Sequence, residues 1–280
     1  MAHPDRFLLA GVMGWPVMHS RSPMLHNYWF KQHGLAGTYV PLAIEPAGIG
    51  PALRALQPLG FAGCNLTIPH KETALAFVDE VADTARRIGA ISCVTVRRDG
   101  SLVGTNNDGY GYIESILAEV PGWRADAGPI VVMGAGGGAR AVVLGLADRG
   151  AREIRLINRS PERALGLAQE FGAPVRAVAW EDRHAALEDA AMLVNTTSQG
   201  MVGQTPLDLA IERLPRHALV SDIVYIPRET PLLRQARERG NPTINGLGML
   251  LHQGRPAFRD WFGVTPDVTP ELRQMIEATL

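Results

Sequence analysis

Cysteine is nearly absent: Cys64 and Cys93 are the only two in 280 residues, and they lie far apart in the chain. No CxxC pair and no Cys/His cluster with zinc spacing occurs, so neither a metal site nor a disulfide framework is expected, only two reduced, buried thiols. Neither sign of charge is in excess. With 27 basic and 28 acidic side chains the net charge is -1, which gives no field to gather nucleic acid or an anionic membrane. No apolar run reaches the roughly 20 residues that cross a bilayer. The start of the chain lacks a basic segment followed by a long apolar stretch and a small-residue cleavage site, and a cytoplasmic protein is expected. Internal repeats and low-complexity tracts are missing too. What remains is 46% hydrophobic and 20% charged, enough to bury one large core or two smaller ones.

The chain divides near residue 108. Before it, residues 6–13, 37–44 and 63–68 read as strands, and 22–33, 48–57 and 71–88 as helices. In the last of these Ala74, Phe77, Val78, Val81, Ala85 and Ile88 recur at helical spacing. Ser22-Pro23 reads as a hydroxyl cap followed by proline at the first helical position. Residues 93–97 and 101–105 flank Asp99-Gly100, a hairpin signal. Strands alternating with helices predict a mostly parallel sheet with that hairpin at its edge. After residue 108 comes a helix over 108–119, then strands at 130–133, 153–157, 175–179, 192–195 and 219–223. Helices are expected over 140–149, 161–171, 231–239, 249–261 and 270–279. The fold class is α/β, in two parts that divide near residue 108.

Gly134, Ala135, Gly136, Gly137, Gly138 and Ala139 fit G-x-G-x-x-A between an apolar strand and a helix. Gly134 permits the tight turn, Gly136 the close approach of a pyrophosphate, and Ala139 the packing of helix on strand, while the helix N-terminus offers free N–H groups to phosphate. At the end of the next strand an NAD site places Asp or Glu for the ribose 2′-hydroxyl. Here stand Asn158, Arg159 and Ser160, with Arg163 close behind. A guanidinium pairs with phosphate where a carboxylate would repel it, so NADP is the expected cofactor. The competing reading is two solvated arginines at a helix start.

Three segments are unusually polar for their positions: 19–23, 65–72 and 104–109. The first two run off strand ends, where open α/β sheets bind ligands, and the third lies where the halves meet, a common place for a substrate. Reducing a ketone by hydride transfer needs a proton donor at the forming alkoxide; Lys71 can supply it and Asp108 can hold the ammonium. Ser20, Ser22, Asn65, Thr67 and Gln253 suit a polyhydroxylated acid. Taken alone, Lys71 reads first as a solvated lysine at a helix start; that the helix dipole does not favour lysine there is the point for function.

These segments resemble the signatures of the shikimate dehydrogenase family. Gly14–Pro23 is similar to its first signature, Asn65–Glu72 to the segment of the catalytic lysine, and Asn106–Gly109 to that of the catalytic aspartate. Gly134–Arg140, Asn158–Ser160, Asn195–Met201, Asp222–Tyr225 and Gly246–Gln253 follow in family order. The resemblance implies an N-terminal α/β substrate domain (1–108, completed by C-terminal helices within 246–280) with a mostly parallel sheet, a Rossmann-type NADP domain (109–245), and reversible NADP-dependent reduction of 3-dehydroshikimate to shikimate, a step towards chorismate and the aromatic amino acids. It implies Lys71 and Asp108 as the catalytic pair, and Ser20, Ser22, Asn65, Thr67, Ser92, Tyr225 and Gln253 at the substrate. Cofactor positions would be Gly134 to Gly138, Asn158 to Ser160, Arg163, Asp83, Ile223 and Gly246. Apart from the resemblance, Asp83 reads as a solvated helix residue, Ile223 as a buried strand residue, and Asn65, Tyr225 and Gln253 as hydrogen-bonded structural groups.

The chain departs from the family at Ser92, where an asparagine is usual, at Cys93, usually threonine, and at Asn107, usually threonine. Serine reaches less far, so weaker shikimate binding or a preference admitting quinate is expected. Quinate or aminoshikimate dehydrogenation, with NAD or NADP, and a non-catalytic dinucleotide sensor are the rival readings. The small-molecule substrate is the expected partner, without nucleic acid or membrane; the oligomeric state is open, with a homodimer as the candidate.

Overall fold

The computed structural model describes residues 7–280; Arg6, the expected start of the first strand, lies outside them. The described residues form two compact units, 7–107 with 251–279, and 108–250 with Leu280.

The first unit contains β1 (Leu8–Gly14), α1 (Ser22–Gln32), β2 (Gly37–Ala43), α2 (Ile49–Ala55), β3 (Phe61–Leu66), α3 (His70–Thr73), β4 (Glu80–Val81), α4 (Asp83–Ile88), β5 (Cys93–Val96) and β6 (Leu102–Thr105). Its sheet has the order β2-β1-β3-β5-β6-β4. The β1, β2 and β3 strands are parallel; β5 runs antiparallel to both β3 and β6. The hairpin is therefore interior, not at the edge, because β4 adds parallel to β6 outside it. That strand comes from the stretch expected as one helix over 71–88. Asp79 N–H donates to Leu102 O and Ala82 N–H to Gly104 O, so sheet pairing takes the middle of the segment. Val78 and Val81 still pack on the core from extended backbone. Their i, i+3 spacing fits a helical face, and the tertiary hydrogen bonds override it.

One face of this sheet packs on a core including Ile49, Leu53, Ile91 and Leu102. In the same unit aromatic rings of α1 meet the later part of α9 (Leu247–Phe262), with Trp29 and Phe30 against Phe258. Trp261 Nε1 donates to Val94 O at 3.0 Å. Gly63 makes room for that ring: a Cβ there would lie 2.2 Å from Trp261 Nε1 and 2.1 Å from Val94 O. The α10 helix (Pro270–Glu277) is capped by Thr269, whose hydroxyl accepts from Leu272 N–H. Cys64 and Cys93, on neighbouring strands, are both fully buried and unpaired. Burial pushes the Cys93 thiol up to about 12 and raises that of Cys64 as well.

The second unit opens with α5 (Asp108–Glu119) and continues β7 (Ile130–Met133), α6 (Gly137–Asp148), β8 (Ile154–Ile157), α7 (Pro161–Phe171), β9 (Val175–Val178), β10 (Met192–Asn195), β11 (Leu219–Asp222), α8 (Pro231–Glu238) and β12 (Thr243–Ile244) before α9 begins. Its sheet is wholly parallel, in the order β12-β11-β10-β7-β8-β9. Every residue of β7, β8, β10 and β11 is buried, as a parallel sheet covered on both faces requires. Strand order reverses between β7 and β10, the switch point where doubly wound sheets bind dinucleotides. The short β12 was not visible in the sequence.

Candidate active site

In the first unit the sheet topology brings several chain segments to one edge. The β1 and β3 strands are parallel, so residues 15–22 and 67–71 leave from the same side. The β5 strand runs the other way and starts there just after Ser92, while β6 returns and ends there before Asn106 and Asn107. Thr67 N–H donates to Met13 O and Trp15 N–H to Ile68 O, tying the first two exits together. A Cβ on Gly14 would lie 2.4 Å from Thr67 Cγ2, so glycine permits this approach.

Each expected residue can now be placed. Ser22 is the first residue of α1, not its cap; the hydroxyl of Ser20 accepts the Ser22 N–H at 3.3 Å instead. Asn65 is largely committed. Its Oδ1 accepts the Tyr39 hydroxyl at 2.8 Å and its Nδ2 donates to Ser92 O at 3.1 Å, leaving one amide hydrogen for another partner. Lys71, half-buried in α3, has its backbone carbonyl held by Ile91 N–H at 2.7 Å. Next to Ile91, the Ser92 hydroxyl accepts Asn107 N–H at 2.9 Å, and Asp108 follows as the first residue of α5. The backbones of Lys71 and of the residue before Asp108 are thus both anchored to the two-residue segment Ile91-Ser92. The buried Nδ2 of Asn107 has no hydrogen-bond partner among the described residues. Gln253 lies half-buried on α9, beside Gly254, whose missing Cβ leaves room for Trp29 and His26 of α1. Asp83, at the exposed start of α4, faces Arg87 at 3.9 Å.

In the second unit Gly134 directly follows β7 with φ +108°, and a Cβ there would lie 2.7 Å from Thr196 Oγ1. Glycine is needed for both reasons. Gly136 and Gly137 are exposed, and a Cβ on either would meet open space. Gly136 caps α6 with extended backbone and no side chain turns back onto the helix. The first N–H groups of α6 therefore face a cradle that fits a pyrophosphate. Gly138, within the helix, approaches Ile223: a Cβ would lie 2.8 Å from its Cδ1. Ile223 itself is held by its N–H donating to Asn195 O. Gly246 is packed so closely on Ile223 O that a Cβ would lie 1.9 Å away.

At the end of β8, Asn158 donates from Nδ2 to Ser160 O at 2.9 Å, shaping the turn into α7. Arg159 and Arg163 are exposed and have no ion-pair partner among the described residues. Two unpaired guanidinium groups at this position fit a 2′-phosphate. Arg140, by contrast, pairs with Glu170. Tyr225 is half-buried in the loop after β11.

A network not foreseen from the sequence lies beneath these loops. Asn195 and Asp222, the last residues of β10 and β11, sit opposite each other in register and are almost wholly buried. Burial raises the Asp222 carboxyl to about 6. Two polar residues closing apolar strands at one level were the available signal.

Three family models match the chain: "Shikimate dehydrogenase substrate binding domain" over residues 12–94, "Shikimate / quinate 5-dehydrogenase" over 119–230, and "Shikimate 5'-dehydrogenase C-terminal domain" over 246–275. Among curated proteins, the NADP(+) shikimate dehydrogenase of Paramagnetospirillum magneticum is 52% identical over 268 residues, 96% of this chain and 97% of its own. Among solved structures, shikimate 5-dehydrogenase from Thermus thermophilus in complex with NADP(H) and shikimate is 37% identical, with a TM-score of 0.87, covering 98% of this chain and 99% of its own. Quinate dehydrogenase from Corynebacterium glutamicum in complex with NAD reaches a TM-score of 0.90 at 29% identity, over 97% and 99% of the two chains.

Proposed function

Because the chain belongs to the shikimate dehydrogenase family, we propose that it catalyses the NADP-dependent, reversible reduction of 3-dehydroshikimate to shikimate, a step of aromatic amino acid biosynthesis. The observation that carries this reading is end-to-end likeness, at about half of all positions, to proteins named for that activity. The unpaired Arg159 and Arg163 support NADP over NAD.

The nicotinamide, when bound, gives or takes the hydride. The chain's own residues do the rest. Gly134 to Gly138 and the start of α6 receive the pyrophosphate, while Arg159, Ser160 and Arg163 hold the 2′-phosphate. Lys71 Nζ gives its proton to the ketone oxygen as that oxygen gains charge, and takes it back from the hydroxyl in the oxidative direction. Asp108 balances the ammonium charge. Ser20, Ser22, Thr67 and Gln253 bind hydroxyls and carboxylate, with Asn65, Ser92 and Tyr225 completing the set. Asp83, Ile223 and Gly246 belong to the cofactor side of this reading. A cytoplasmic homodimer is the assembly we carry forward, and light scattering tests it.

The test is purified protein with shikimate and NADP, followed at the nicotinamide absorbance, with quinate and NAD as controls. Turnover of quinate alone would refute the substrate assignment. A finer expectation concerns Ser92, whose short side chain is engaged with Asn107 N–H. Ser92→Asn should lower KM for shikimate several-fold, on the order of one recovered hydrogen bond; an unchanged KM counts against a direct role at the substrate.

A further inference from the structure

The buried carboxylate at the end of β11 is surrounded by donors only. Asp222 Oδ1 accepts Asn195 Nδ2 at 3.1 Å and Val224 N–H at 3.0 Å; Oδ2 accepts the Thr230 hydroxyl at 2.8 Å. The Thr230 oxygen in turn accepts Leu233 N–H at the start of α8, so its own proton is directed at Asp222. No acceptor faces the carboxyl among these partners. A neutral acid or an amide would turn a donor towards donors, and only the ionised group satisfies the set.

Each partner leads towards the glycine turn. Asn195 Oδ1 accepts both the N–H and the hydroxyl of Thr197, at 3.0 and 2.7 Å, and its Nδ2 also donates to Gln199 O. These bonds shape the loop in which Thr196 and Thr197 press on Gly134. Val224 N–H, held by Asp222, fixes the peptide after Ile223, the side chain that abuts Gly138. The carboxylate therefore sits behind both walls that close on the dinucleotide turn.

We propose that Asp222 is a positioning residue for the dinucleotide: its carboxylate locks the loops after β10 and β11 into the shape that receives the cofactor. This rests on the cofactor assignment above. The group is held at a cost. Burial without any facing cation raises its pKa, and the one titratable group facing it from α5, the Tyr112 hydroxyl, is itself pushed up by burial and by this carboxylate. From β10 and α8 only the neutral Asn195 and Thr230 face it.

The experiment is fluorescence titration of NADPH into the full chain and into Asp222→Asn, without substrate, from pH 8 to pH 5. The variant is expected to raise Kd about tenfold at pH 8, the scale of one or two buried donors left facing a donor. The ratio of the two Kd values should fall towards one as the pH drops through about 6, where the native residue becomes neutral as well. Titration of the cofactor's own phosphate is common to both proteins and cancels in the ratio. A folded Asp222→Asn protein with native affinity at pH 8, or a ratio that does not change with pH, overturns the inference alone. No NADPH binding by the native chain overturns the cofactor assignment and this inference together. Should Asp222→Asn fail to fold, Thr230→Val is expected to raise Kd about threefold and Thr230→Ser to leave it native; an unchanged Kd in Thr230→Val overturns the proposal.

Discussion

Lys71→Ala is expected to lower kcat for shikimate oxidation by at least ~100-fold, the scale of a lost general acid or base. The side chain is half-buried at the exit of β3, on a four-residue helix whose backbone is fastened independently of it. The Lys71 carbonyl is held by Ile91 N–H, and His70 is pinned by its ring nitrogen at 2.8 Å from Ile44 O. Truncation should therefore leave the fold and the second unit undisturbed. NADPH affinity should match the native chain, and circular dichroism should be unchanged. A Lys71→Ala enzyme retaining native kcat would remove the proton-transfer role. A native chain that binds NADPH but turns over neither shikimate nor quinate would favour the non-catalytic reading.

The second large effect is on cofactor choice. Replacing both Arg159 and Arg163 by alanine removes two charge-assisted bonds to a 2′-phosphate, each of about 1.5–3 kcal/mol. Together they should lower kcat/KM for NADP by ~100-fold or more, with little change for NAD, so that the preference is erased or reversed. Both side chains are exposed and carry no ion pair among the described residues. The double variant should therefore melt near the native temperature, as surface changes away from packed features do. Steady-state kinetics with both cofactors measure it; equal losses with NADP and NAD would show that the arginines do not read the phosphate.

How much of this was legible depended on whether local pattern and tertiary pairing agreed. The β7–α6 unit was readable because the four-residue apolar run and the glycine spacing point to the same object. The helix nevertheless starts three residues earlier than expected, at Gly137, because an open helix end needs no side-chain cap when a ligand can serve. The stretch from 71 to 88 was misread because its apolar residues fit a helical face, whereas Asp79 and Ala82 spend their N–H groups on the β6 backbone. The two-residue β12 has no periodicity to detect; its pairing with β11 is visible only in three dimensions. Ser22 looked like a helix cap by composition, but it is already the first helical residue, Arg21 holds the cap position without a side-chain bond, and Ser20 only accepts the Ser22 N–H. Asp222 stood out only as part of a family-like segment, with no role of its own, because one acidic residue after an apolar run is ordinary. Its register with Asn195 is what gives it meaning.

The two thiols on β3 and β5 have a practical corollary. Being wholly enclosed and held in the protonated form, they should resist maleimide under native conditions, so the unmodified chain offers a blank background for dye attachment. A cysteine introduced at Glu162, exposed beside Arg163 on α7, would then be the sole reactive sulfur. A fluorophore placed there would report the arrival of the phosphate as a change in emission, independently of any turnover.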